Sequence, residues 1–152
     1  MYSYIKQYKI LHSQQESYGS SSNIYFSEVC LMIDYLKPNS ILGFGCGKGI
    51  LANLISNKYS NIKVFKYDPA IEEYSTIPKE KIDFIINTDV LKHIPEQFLP
   101  EVLETISSLS SKVFFGLYHA PAAIILPNGK MHIVRFILLN GIMNYLKNIL
   151  KK

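Results

Sequence analysis

The chain has 152 residues, 48% of them apolar and 18% charged, which is enough to bury one core and too apolar for a disordered segment. Its net charge of +4 comes from scattered lysines that cluster only at Lys147, Lys151 and Lys152, so the dense basic patch of a nucleic-acid binder is missing. Two cysteines, Cys30 and Cys46, make neither a disulfide framework nor a metal box and read as reduced thiols of a cytoplasmic protein.

The first 22 residues are polar and Tyr-rich and predict an irregular arm. Lys6 and Lys9 interrupt any apolar core there, which argues against a signal peptide. Ser22 or Asn23 can cap a helix from Ile24 to Leu36, with Phe26, Val29, Ile33 and Leu36 near helical spacing. Ser40–Phe44 reads as a short buried strand, followed by glycine-rich backbone and a helix over Ile50–Lys58. The stretch "NIKVFKYD" predicts a second strand ending at Asp68-Pro69, and "KIDFIIN" a third. Pro95 opens a helix to Ser108, and "SKVFFGLY" is a fourth strand. After the long loop "HAPAAIILPNGK" a last helix is expected from His132 to Leu150. The apolar run "VFFGLYHAPAAIIL" is too short to span a bilayer and is interrupted by His119 and Pro121.

Strands that alternate with helices imply right-handed crossovers and an α/β fold, here a small, mostly parallel sheet of four or five strands with helices on both faces. Asp68 to Lys81 is barely long enough for a crossover helix. Ligands of such sheets bind at the carboxyl ends of the strands, which directs attention to "SILGFGCGKGIL". A dinucleotide fingerprint needs Gly at 48 or 50, where Lys48 and Ile50 stand; a P-loop needs Ser or Thr after its Lys, where Gly49 stands. What remains is a hydrophobic strand, G-x-G-x-G and a helix, compatible with a ligand cradle or with a glycine-rich turn that holds nothing. Asp68, at the end of the next strand, is either an acceptor for two ribose hydroxyls or the start of an Asp-Pro turn.

The glycine segment resembles motif I of the class I S-adenosylmethionine-dependent methyltransferases. The segment "INTDVLKHIP" resembles the "TDVLEHIP" stretch of one branch of that family, and "HAPAAIILPNGKMHI" resembles its loop of the form "RPA…LPDGRNAH". "LHSQQESYG" resembles its N-terminal His/Tyr-Gly segment, so the likeness covers roughly residues 11–133 of a single Rossmann-like domain, 1–152. The resemblance implies S-adenosyl-L-methionine as cofactor and a small polar or sugar-type substrate. It places Gly43, Gly45, Cys46 and Gly47 under the methionine part, Asp68 and Pro69 at the ribose, and Asn87, Thr88 and Asp89 on the sulfonium side. His93 is then a general base on a substrate hydroxyl or a capping or packing histidine, and His132 a second base, a substrate ligand or a loop contact. The histidines are too dispersed for a recognisable metal site.

Three departures point to an alternative, a catalytically degenerate relative that serves as a binding or scaffold module. Gly43 stands where motif I carries a carboxylate, Lys92 where the family has Glu, and the C-terminus is altered, without the family's tryptophan segment and ending in a helix instead. The carboxylate's absence leads to the expectation that Gly43→Asp tightens donor binding, and the ribose role of Asp68 to the expectation that Asp68→Ala abolishes binding with the fold intact. The divergent helix over 132–152 carries one polar stripe, Asn140, Asn144, Lys147 and Lys151, on an otherwise apolar surface. A homodimer interface, a membrane surface and a truncated C-terminus are its three readings.

Overall fold

The computed structural model describes residues 2–116. Four strands, β1 (Ser40–Phe44), β2 (Lys63–Tyr67), β3 (Phe84–Thr88) and β4 (Val113–Gly116), form one sheet in the order β2-β1-β3-β4. All three pairings are parallel. Chain order runs outward to β2 on one side of β1 and through β3 to β4 on the other. The direction therefore reverses between β1 and β3, and a crevice opens there beyond the strand ends.

A parallel sheet must be covered on both faces, so its central strands are apolar throughout rather than alternating. Phe84, Ile85 and Ile86 in β3 and Ile41 and Leu42 in β1 are all at most 3% exposed. On one face Ile41, Phe84 and Ile86 pack with Val29 and Ile33 of α2 (Phe26–Leu36) and Leu51 and Ile55 of α3 (Ile50–Lys58). On the other, Leu42, Phe44 and Ile85 pack with Val102, Leu103, Ile106 and Leu109 of α4 (Leu99–Leu109). Each fully buried aliphatic or aromatic side chain contributes about 1.5–3 kcal/mol relative to exposure. These two apolar layers fix the register of the strands, and with it the alignment of their carboxyl ends.

The sheet, its helices on both faces and the limits of β1 and α3 agree with the sequence reading. The N-terminal arm does not: Tyr2–Gln14 is a helix, α1, followed by a turn to Gly19. It has no acidic residue in its first turn and a weak apolar stripe, so little in its own sequence announces it. Packing holds it instead, through Leu11, which is 2% exposed, and a hydrogen bond from the Tyr8 hydroxyl to the His93 carbonyl at 3.4 Å. Neither Ser22 nor Asn23 caps α2. Ser21–Tyr25 forms a 3₁₀ turn, and the helix begins at Phe26 without a side-chain cap. Past Asp68 the crossover contains only the 3₁₀ turn Glu72–Tyr74. Likewise Pro95 starts the 3₁₀ turn Glu96–Phe98, and α4 proper begins at Leu99, with Pro100 in its first turn where no backbone donor is lost. The expected C-terminal helix, its dimer interface and His132 lie outside the described residues.

Candidate active site

The glycine loop closes on itself. Gly45 and Cys46 donate to the Tyr67 carbonyl at 2.7 and 3.0 Å, Lys48 to the Gly19 carbonyl at 3.2 Å and Gly49 to the Cys46 carbonyl at 2.9 Å. Gly47 donates to Asp68 Oδ2 at 2.9 Å. All five N–H groups from Gly45 to Gly49 are thus engaged, and the loop offers no nest of free donors of the kind that binds phosphate. Its backbone nonetheless needs glycine. Gly47 has φ +53°, and a Cβ there would stand 2.5 Å from the Gly19 carbonyl oxygen and 3.0 Å from its Cα. At Gly45 a Cβ would collide with the Val90 side chain. Cys46 is half-buried, and desolvation followed by the Asp68 charge pushes its thiol up to about 12, so it is a neutral packing group here.

Asp68 starts the turn that one of its sequence readings expects. Its Oδ1 accepts from the Ala70 N–H at 2.9 Å and starts the turn through the half-buried Pro69, while Oδ2 reaches across to the glycine loop. It is 8% exposed. A carboxylate has about four lone-pair sites, so two remain for a ligand. Asn87, fully buried at the end of β3, donates through Nδ2 to the Phe44 carbonyl at 3.1 Å and ties the two strands across the crevice. Its Oδ1 is buried without a hydrogen-bond partner. Thr88 closes β3 opposite Gly116, where a Cβ would press on its methyl group.

Beyond β3 the backbone turns sharply at Asp89, which has φ +60°. Its N–H donates to the Gly116 carbonyl at 2.7 Å, and its carboxylate pairs with Lys92 Nζ at 3.1 Å. Asp89 is therefore a paired carboxylate. His93 ends the short turn Leu91–His93 and is half-buried, its ring 6.0 Å from that of Tyr8 and tilted by 54°. Tyr8 in turn stacks on Tyr18 at 6.5 Å, and Tyr18 meets the edge of His12 at 4.7 Å. Burial raises the pKa of both tyrosines. Sequence reasoning missed Tyr8, Tyr18 and Val90 as parts of this wall. The Tyr18-Gly19 pair was a usable signal, because Gly19 is where the chain crosses Gly47.

Gly43 is not the end of a strand. It lies inside β1, paired with Lys66 and Ile86, and Phe44 follows it. A Cβ on it would sit 3.2 Å from that of Cys46 and 3.8 Å from that of Ala52. The adjoining cavity is about 20 Å³, room for one water, and its lining is largely apolar, including Leu51, Ala52, Ile55 and Val64. A carboxylate at 43 would find apolar walls and loop N–H groups that already have partners. These surroundings weigh against the expectation that Gly43→Asp tightens donor binding, which titration of the variant decides.

Three features stand together at the ends of β1, β2 and β3. Asp68 retains acceptor capacity, the backbone at Gly45 and Gly47 has no room for side chains, and Asn87 Oδ1 waits buried for a donor. Among the described residues no group of three or more His, Cys, Asp or Glu side chains could hold a metal, and no helix is long and apolar enough to cross a membrane. No curated protein and no solved structure gives a significant match to the chain. A family model described as "Methyltransferase domain" matches residues 25–123, more than half of the chain and the whole of the sheet with its strand-end loops. The chain belongs to the class I S-adenosylmethionine-dependent methyltransferase family.

Proposed function

We propose that the protein transfers the methyl group of S-adenosylmethionine to a small polar or sugar-type substrate, with the whole chain, 1–152, acting as one domain in a reducing, cytoplasmic setting. The observation that carries this reading is the buried Asp68 carboxylate, which joins the end of β2 to the glycine loop and keeps two lone-pair sites for a diol. Asp68 and Pro69 would hold the ribose, and Gly45, Cys46 and Gly47 would bound the amino-acid part. Asn87 Oδ1 and Thr88 would face the reacting side. When bound, S-adenosylmethionine supplies a methyl group on a positively charged sulfur, poised for displacement. The chain's own contribution is alignment and exclusion of water by the wall of Tyr8, Tyr18 and Val90. A ring nitrogen of His93 would take the proton of a substrate hydroxyl, and Lys92 would hold Asp89 in place. His132, which lies outside the described residues, is a second base or substrate ligand in this reading.

One observation favours a second reading, a methyltransferase-like module without donor affinity. Gly45 and Gly47 are met by Val90 and Gly19 of the chain itself, so the glycines can be explained by internal packing. Calorimetry with S-adenosylmethionine and S-adenosylhomocysteine separates the two. Binding by the wild type, lost at least tenfold in Asp68→Ala through hydrogen bonds of about 1.5–3 kcal/mol each, supports the first reading. Asp68→Ala also removes the partners of the Gly47 and Ala70 N–H groups, so a lower melting temperature accompanies it. Asp68→Asn, which can still accept from one of them, isolates the ligand effect. No heat with either ligand favours the second reading.

A further inference from the structure

His12 has no role in the site as described so far, yet it is placed beside it. It lies near the end of α1, its imidazole wedged between the edge of Tyr18 and the Cα of Gly19. A Cβ at Gly19 would lie 2.6 Å from His12 Cε1, so that glycine makes room for the ring as well as for Gly47. The turn is fastened to the glycine loop twice more, by the Lys48 N–H on the Gly19 carbonyl and by Lys48 Nζ on the carbonyls of Gln15 and Glu16. The ring is thereby held in one position over the loop, within electrostatic reach of Asp68, which accepts from the Gly47 N–H, and of Lys48.

Its Nδ1 is buried and has no hydrogen-bond partner. Leaving a buried polar atom unmade is costly, and such atoms in folded proteins call for an explanation. Desolvation lowers the pKa of the imidazole, which keeps it neutral near pH 7 and able to accept as well as donate. Its surroundings are short of free donors: the N–H groups of Gly45 to Gly49 are all engaged, and Asp68 can only accept. In the tautomer with its proton on Nε2, Nδ1 is an acceptor, and the group that satisfies it is a hydrogen-bond donor, an ammonium or a hydroxyl.

We propose that His12 is a ligand-binding residue of the methyl-donor site, with Nδ1 accepting a hydrogen bond from an N–H or O–H group of the bound donor. The assignment rests on the S-adenosylmethionine reading above and adds to it a residue from the N-terminal helix, outside the stretch matched by the family model. It also gives α1 a function: the helix carries a polar group to the mouth of the glycine loop, besides excluding water from it.

The test uses two variants of the full chain, His12→Phe and His12→Asn, with calorimetry of S-adenosylmethionine and S-adenosylhomocysteine and thermal melting of the free protein. Phe keeps an aromatic ring against Tyr18 and removes the orphaned atom. Asn keeps a polar atom near the position of Nδ1. The expected result is a melting temperature for free His12→Phe equal to or above that of the wild type, a donor affinity lowered about tenfold, and recovery of most of that loss in His12→Asn. Wild-type affinity in His12→Phe would overturn the assignment. So would a lowered melting temperature in His12→Phe with no recovery of binding in His12→Asn, which marks a packing residue. If the wild type binds neither ligand, the methyl-donor reading fails first and the His12 assignment falls with it.

Discussion

The two loops that flank the crevice are built on opposite principles. The loop after β1 is backbone: its N–H groups are engaged from Gly45 to Gly49, and neighbouring chain lies so close to Gly45 and Gly47 that side chains have no room. The loop after β3 is side chain: Asp89, Lys92 and His93 are all half-buried, and an ion pair and ring contacts set their positions. The first loop can shape a cavity but has few atoms with which to do chemistry. The second has the titratable groups and depends on its neighbours to aim them.

The comparison is broken most severely at Gly47. Gly47→Ala forces a side chain into a left-handed conformation and onto the Gly19 backbone, and should lower unfolding free energy by about 3 kcal/mol in a denaturant titration. A loss below about 1 kcal/mol would mean that the turn at Gly19 moves aside easily and that the loop is less rigid than its hydrogen bonds imply.

Gly43 gives the next largest effect. Gly43→Asp should destabilise by about 2 kcal/mol, because its carboxylate is desolvated in an apolar corner whose nearby donors are taken. Gly43→Ala, which needs only a few tenths of an ångström from Cys46, should stay within about 1 kcal/mol of the wild type. Melting curves of the two variants decide the point. A Gly43→Asp protein that is as stable as the wild type and binds the donor more tightly would restore the missing-carboxylate reading.

The smallest change is expected at the side-chain loop. Lys92→Ala removes one partner of a half-buried ion pair and should lower stability by about 1 kcal/mol, with donor affinity unchanged. Its consequence should be read in turnover once an acceptor is found, since Asp89 loses its fixed orientation. If Lys92→Ala costs more stability than Gly47→Ala, the assignment of rigidity to the first loop and adjustability to the second is reversed.

Much of this was written in the local sequence. Alternation of apolar runs with helical spacing gave the strand order its elements, and β1 and α3 have the limits that their residues imply. The glycine spacing ruled out phosphate-binding loops by inspection, and the engaged N–H groups supply the physical reason. Asp68 and Asn87 stand at strand ends because polar residues that close apolar runs in a parallel sheet can only lie there. These are short-range inferences, and they held because a strand-loop-helix unit is determined by neighbours in the chain.

What only the tertiary structure decided is everything that crosses from one segment to another. α1 has almost no helical signature of its own and is held as a helix by the burial of Leu11 and by Tyr8, which reaches His93 far along the chain. That Cys46 and Ala52 stand beside Gly43 is visible only from its Cβ direction. The ion pair of Asp89 with Lys92 likewise appears only in the structure. The orphaned nitrogen of His12 has no counterpart in any sequence pattern, because burial without a partner is a property of packed neighbours rather than of residue type.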